Sequence, residues 1–250
     1  MTEEEAKRSA WGLWFHFWLG VLTLVAGSMV VLLAPIDREG RLVQFTARWW
    51  GRTLLRMAHV SVEVRGLEHL APNQAYVFAA NHRSNFDIFT LIAILPGRLM
   101  FVAKQSLFRI PIFGQALIRM GSVPLDRSNF KQAVKSLDRA AARVKAGASM
   151  IIFPEGTRVA APELSPFKKG VFIMAAKAGQ PIVPVSISGT RFIQVPHSIR
   201  MQPGPVRVVI SPPINPRDYR RKEDLMAAVF QAIDANYDPD FPHGPHRSPE

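Results

Sequence analysis

Cysteine is absent from the 250 residues, which removes disulfides, thiolate-bound zinc and a cysteine nucleophile from the possible chemistry. Acidic residues are scarce, with 19 Asp and Glu against 31 Lys and Arg and a net charge of +12. A balance of that sign suits an anionic partner, whether nucleic acid, an anionic membrane surface or a phosphorylated substrate. Basic patches interleaved with aromatics are missing, as is any recognisable reading motif, so no nucleic-acid partner is expected. Internal repeats are also missing. The length allows one substantial core and makes two full domains unexpected.

Charge is nearly missing from one long run. Between Trp11 and Ala34 the only ionisable side chain is His16. At about 1.5 Å per residue, a helix of about 24 residues reaches about 36 Å, enough to cross a hydrocarbon core of about 30 Å. A signal peptide fits poorly, because the start is acidic and Pro35 follows without a small-x-small site. Trp11, Trp14 and Trp18 cluster at one end like interfacial anchors. The expectation is a helix that crosses or deeply re-enters a membrane.

Arg38, Arg41, Arg48, Arg52, Arg56 and Arg65 follow it. Positive flanks tend to stay cytoplasmic, which would put the body of the protein on that side. From Arg41 to Ala58 apolar residues recur in a helical rhythm. Such a helix either lies in the interface with arginines toward phosphates or packs on the domain.

From residue 60 the pattern alternates. Val60, Val62 and Val64 show period two, while Tyr76 to Ala80, Leu99 to Ala103, Ser149 to Phe153, Ile182 to Ser188 and Val206 to Ser211 read as further strands. Helices are expected after Asp87, from a cap near Ser128 to Gly147, and from Lys222 to Asn236, with Ser106 to Met120 kinked or split at Pro111 and Gly114. The fold class is therefore α/β, a mixed sheet flanked by helices, with an N-terminal membrane-associated helical segment. The boundaries are residues 1–58 for attachment, 59–237 for the main domain and 238–250 for a disordered tail.

Three stretches could carry chemistry. Asn81-His82-Arg83-Ser84-Asn85-Phe86-Asp87 is a strand-to-helix turn in which Ser84 fits an N-cap and Asp87 the third helical position. On a continuous helix residues five apart diverge by about 140°, so only the turn lets His82 fold back to Asp87. A carboxylate on one imidazole nitrogen makes the other a general base. Spacing alone fits equally a turn histidine beside a capping aspartate, and no second His or Cys stands near enough for a metal site.

Phe153-Pro154-Glu155-Gly156-Thr157-Arg158 follows an apolar run at a strand's carboxyl end. Gly156 permits close backbone approach, Arg158 can grip a phosphate, and Glu155 is placed to orient Arg158. Gly121 to Arg127 ends in a third basic residue, and Lys104 follows Phe101-Val102-Ala103. Lys104, Arg127 and Arg158 thus form a candidate cationic rim.

Asn81 to Asp87 resembles the first signature of the glycerolipid acyltransferase family, and Gly121 to Arg127, Phe153 to Arg158 and Ile182 to Val185 are similar to its second, third and fourth blocks in order. Pro166 to Gly170 resembles the segment that follows the third. Pro124 and Val159 depart from the usual residues. The resemblance implies that His82, oriented by Asp87, deprotonates a lysophospholipid hydroxyl that attacks the thioester of an acyl-CoA or acyl carrier protein. It also implies that Arg127, Glu155, Gly156 and Arg158 bind the acceptor phosphate, with Lys104 and Thr157 as further substrate-binding candidates; Leu107 to Leu117 either line an acyl tunnel or pack in the core. The expected acceptor is lysophosphatidic acid, giving phosphatidic acid. No metal or cofactor is implied beyond the thioester co-substrate, and membrane lipids are the surroundings. The alternatives are another lysolipid, such as a lyso-ornithine lipid or lysophosphatidylglycerol, or a non-catalytic lipid-binding protein.

Overall fold

A computed structural model describes residues 3–126 and 128–243. Its chain order is α1 (Glu3–Leu33), α2 (Arg41–Met57), β1 (Val60–Arg65), β2 (Val77–Ala80), α3 (Phe86–Ile94), β3 (Leu99–Lys104), α4 (Phe113–Arg119), β4 (Val123–Leu125), α5 (Phe130–Lys145), β5 (Ser149–Ile152), α6 (Lys169–Ala178), β6 (Ile182–Ser188), α7 (Thr190–Ile193), β7 (Gly204–Ile210) and α8 (Lys222–Asp234). The seven strands form one sheet in the order β1-β7-β6-β2-β5-β3-β4. All neighbours are parallel except β6 and β7, so the sheet is mixed, as the alternating pattern predicts.

Strands β2, β5 and β6 are buried throughout because helices cover both faces. Phe78, Ala80, Ile151 and Val183 point to one side, against Leu54 of α2 and Phe86 and Phe89 of α3. Val77, Ala79, Met150 and Ile182 point to the other, against Val144 of α5, Phe172 of α6 and Leu225 of α8. The register Val77↔Met150, Phe78↔Ile151, Ala79↔Ile152 brings the carboxyl ends of β2 and β5 together. Whatever follows Ala80 therefore meets whatever follows Ile152.

The segment with a proline and glycine splits as its composition predicts. A 3-10 turn covers Gln105–Arg109 and α4 begins only at Phe113. Pro111 lacks a donor N–H, and Gly114 lies so close to Phe108 that a Cβ there would stand 2.2 Å from its carbonyl oxygen.

Helix α1 is long and apolar enough to cross a membrane by length and composition. It nevertheless touches the domain near both ends. A Cβ on Gly12 would lie 1.8 Å from the carbonyl oxygen of Ile199, and one on Gly27 would lie 2.9 Å from the side chain of Ile112. Phe15 is buried and stacks on Phe86 at 5.5 Å. The helix therefore runs along the domain, whereas an isolated span would stand clear of it. Its opposite face leaves Leu13, Phe17, Leu24 and Leu32 exposed, and α2 leaves Leu42, Phe45 and Trp49 exposed.

Two arginines of α2 differ from the interfacial expectation. Arg48 donates to the carbonyls of Leu95 and Gly97, and Arg52 to that of Ala93. The Ala93 and Leu95 carbonyls end α3, where the helix leaves its last acceptors without partners, and Gly97 follows two residues after the cap. Burial lowers the Arg48 pKa from its ordinary value, and the nearby charge of Arg52 adds to the effect.

The expected tail also starts too early. Asp238 Oδ1 accepts from the backbone N–H groups of Asp240 and Phe241, and Phe241 is buried beneath Arg207 with 4.1 Å between guanidinium carbon and ring centre. Residues 238–243 are thus packed, because a buried ring and a turn hold them. Residues 244–250 lie outside the described residues.

Candidate active site

His82 does fold back onto Asp87. Nδ1 of His82 lies 2.8 Å from Asp87 Oδ2, which also accepts from the backbone N–H groups of Arg83 at 2.6 Å and Ser84 at 2.8 Å. The other oxygen accepts from Thr190 Oγ1 at 2.6 Å. An oxygen that already takes two backbone donors acts as an acceptor, so the shared proton sits on Nδ1. That tautomer leaves Nε2 with its lone pair available. Asp87 is 0% exposed and His82 9%, and the imidazole stacks on Phe153 at 3.8 Å and 14°. The ring is thereby held in plane and in tautomer, with one nitrogen left to do chemistry.

Only half of the expected capping box forms. Asp87 reaches back to the Ser84 N–H as such a box requires, but the Ser84 hydroxyl donates to the carbonyl of Gln194 instead of capping α3. The helix starts one residue later than expected, with Asn85 as its N-cap.

Glu155 corrects a prediction. Expected beside Arg158 and among the phosphate ligands, it is 3% exposed and spends both oxygens inward. Oε1 accepts from the His82 backbone N–H at 2.8 Å, and Oε2 accepts from Arg83 Nη1 at 2.8 Å and the Ser165 N–H at 3.1 Å. The adjacency of β2 and β5 explains this, since it drops the Glu155 carboxylate onto the turn after β2. Arg83, 1% exposed, also donates to the Tyr237 hydroxyl and the Glu163 carbonyl. Burial alone would lower the Arg83 pKa, but Glu155 and Tyr237 outweigh it and hold the guanidinium above its ordinary value. Burial raises the Tyr237 pKa in turn, with Arg83 opposing.

Arg158 stands on the same edge, part-buried, with Nη1 donating to Asn85 Oδ1 at 2.6 Å. The Val159 N–H donates to the His82 carbonyl at 3.2 Å, so the turn after β5 is pinned to the turn after β2. The His82 imidazole and a guanidinium thus share one sheet edge. A family model described as Acyltransferase matches residues 61–188. The chain belongs to the acyltransferase family.

Among relatives, this chain is 38% identical over 209 residues to the chloroplast 1-acyl-sn-glycerol-3-phosphate acyltransferase BAT2 of Brassica napus, covering 82% of this chain and 58% of that protein. It is 32% identical over 222 residues to the 1-acyl-sn-glycerol-3-phosphate acyltransferase of Cocos nucifera, covering 87% and 70%. The chain spans 58% of the Brassica protein and 54% of a second similar one from Arabidopsis thaliana. The crystal structure of the 1-acyl-sn-glycerophosphate acyltransferase PlsC of Thermotoga maritima matches with a TM-score of 0.82 and 27% identity, covering 92% of this chain and 94% of that one.

The remaining candidate residues are spread along the sheet edge. Thr157 is exposed beside Arg158. Gly156 has φ +79° and lies under Lys168, whose Nζ would be 2.8 Å from an added Cβ. Lys104 is exposed at the end of β3, beyond β5 and so about 10 Å from β2 at two strand spacings. Arg127 lies outside the described residues.

Several residues of the candidate site escape sequence reasoning. Lys168 was visible only as part of a following segment. Asn81 exchanges two hydrogen bonds with the backbone of Ile187 and so ties the start of the turn to β6. Arg83, Asn85 and Thr190 each position a neighbour. The first two sit inside the His82–Asp87 block, but residue order does not reveal their roles, because their partners are remote in sequence.

Proposed function

We propose that this chain moves an acyl group from an acyl-CoA or acyl carrier protein thioester to the free hydroxyl of lysophosphatidic acid, giving phosphatidic acid. The supporting observation is the His82–Asp87 pair, with Nδ1 committed and Nε2 available, on the edge that also carries Arg158. Nε2 takes the hydroxyl proton as the oxygen bonds to the thioester carbon. The carbon–sulfur bond then breaks, and the leaving thiolate recovers that proton from the imidazolium. Arg158, held by Asn85, is oriented to pair with the acceptor phosphate, and Lys168 over Gly156 adds a second cation. The reaction uses no cofactor beyond the thioester co-substrate.

A cavity of about 120 Å³ lies between α1, α2, α3, β3 and α4, lined by Gly27, Trp50, Ile92, Phe101, Leu117 and Met120. Its apolar wall suits an acyl chain. The exposed apolar residues of α1 and α2 suit a membrane interface from which an amphiphilic acceptor is met, with the domain on the cytoplasmic side.

The test is a radiolabelled acyl-CoA assay of the purified protein against lysophosphatidic acid, lysophosphatidylglycerol and a lyso-ornithine lipid. Preferred turnover of lysophosphatidic acid is expected. Preference for either other lysolipid would replace the acceptor, and binding without turnover would make the chain a lipid carrier. Arg158→Ala is expected to raise the acceptor KM about ten-fold or more with little change in the donor KM, as loss of a charged hydrogen bond does. The reverse pattern would move the phosphate site elsewhere.

A further inference from the structure

His16 is the one ionisable side chain in the apolar stretch of α1, and it is not turned outward. Its Nδ1 lies 2.6 Å from the Gly12 carbonyl and its Nε2 lies 3.1 Å from Gln194 Nε2. Gln194 Nε2 also donates to the Ser198 carbonyl at 2.9 Å, while Gln194 Oε1 accepts from Asn85 Nδ2 at 3.3 Å. Asn85 Oδ1 in turn accepts from Arg158 Nη1 at 2.6 Å.

Each end of this series permits one role only. A guanidinium only donates, so oxygen is the atom that Asn85 presents to Arg158 and its amide nitrogen faces Gln194. A backbone carbonyl only accepts, so Gln194 presents nitrogen to Ser198 and His16 carries its proton on Nδ1 toward Gly12. His16 Nε2 is then an acceptor for the second amide hydrogen of Gln194. Every member has a complementary neighbour, and the series runs unbroken from the guanidinium of Arg158 to the backbone of α1.

The same part of α1 is seated by contacts unrelated to this series. Gly12 abuts Ile199, Phe15 stacks on Phe86, and the Met201 N–H donates to the Arg8 carbonyl at 3.4 Å. A shift of α1 would therefore withdraw His16 from Gln194.

We propose that His16 is a positioning residue for the acceptor site. Through Gln194 and Asn85 it sets the aim of Arg158, so that the seating of the apolar helix is read as acceptor affinity. This rests on Arg158 being the ligand of the acceptor phosphate. An enzyme built this way grips its acceptor well only while α1 is docked.

The experiment uses the full chain in mixed micelles of detergent and phospholipid, with KM for lysophosphatidic acid, KM for acyl-CoA, kcat and Tm measured for each variant. His16→Leu is expected to raise the acceptor KM about three- to ten-fold, the range for one lost hydrogen bond, with donor KM and Tm unmoved. His16→Gln places an amide oxygen near the lost Nε2 and is expected to stay within about two-fold of the parent. His16→Asn, too short to reach, is expected to behave like His16→Leu and carries the comparison if the leucine variant does not fold. The proposal is overturned if the leucine and asparagine variants leave the acceptor KM unchanged, if glutamine does no better than they do, or if both KM values and Tm move together. Arg158→Ala separates the premises. A raised acceptor KM there beside an inert His16 removes only the coupling, whereas no effect there removes the phosphate reading as well.

Discussion

Acyl transfer by His82→Ala is expected to fall by about 10²–10⁴-fold, the range that a positioned general base contributes. The fold is expected to survive. Asp87 keeps three of its four donors, namely the Arg83 and Ser84 N–H groups and the Thr190 hydroxyl, so its buried carboxylate is not stranded. Comparison of kcat by product formation with Tm by calorimetry separates the two effects. A purified His82→Ala protein that turns over at the parent rate would sink the mechanism. Asp87→Asn is the natural companion, because its oxygen can still accept from Nδ1 and the two N–H groups but lacks the charge that stabilises the imidazolium.

Arg83→Met is expected to destabilise the chain by about 3–5 kcal/mol, because it strands the buried Glu155 carboxylate. For a chain of this size, at about 2–4 °C per kcal/mol, Tm falls on the order of 10 °C. Glu155→Leu should cost a similar amount by stranding Arg83 instead. The double variant Arg83→Met, Glu155→Leu should recover part of the loss, since the buried charges are removed together. The readout is a double-mutant cycle on Tm. A single variant within about 2 °C of the parent would mean that the pair is hydrated and contributes little. Because Glu155 also holds the His82 N–H, both variants carrying Glu155→Leu should lose activity even where stability is recovered.

What was legible in the sequence was local or periodic. Period-two valines, apolar strand runs, the break at Pro111 and the five-residue step from His82 to Asp87 all depend on near neighbours, so residue order alone reports them. The partners of Glu155 did not follow from order. Arg158 is three residues away and Arg83 is 72 away, yet the carboxylate goes to Arg83 because β2 and β5 pair in parallel and their ends coincide. Arg48 and Arg52 were visible as positive charges, but a charge pattern does not reveal that the last carbonyls of α3 lie within reach.

The apolar helix divides in the same way. Hydropathy and length determined by themselves that residues 11–33 form a helix long and apolar enough to cross a membrane, since both properties are sums over the segment. Where that helix lies was decided only in three dimensions. Gly12 and Gly27 lack the side chains that would hold it off Ile199 and Ile112, Phe15 finds Phe86, and His16 finds Gln194. The same holds at the turn from Asn81 to Asp87. The candidate base stands within seven residues, but its tautomer, its stacking on Phe153 and its nearness to Arg158 came from strands that are distant in sequence and adjacent in the sheet. Hydrogen bonds and packing act over a few ångströms, and only the tertiary fold brings such residues that close.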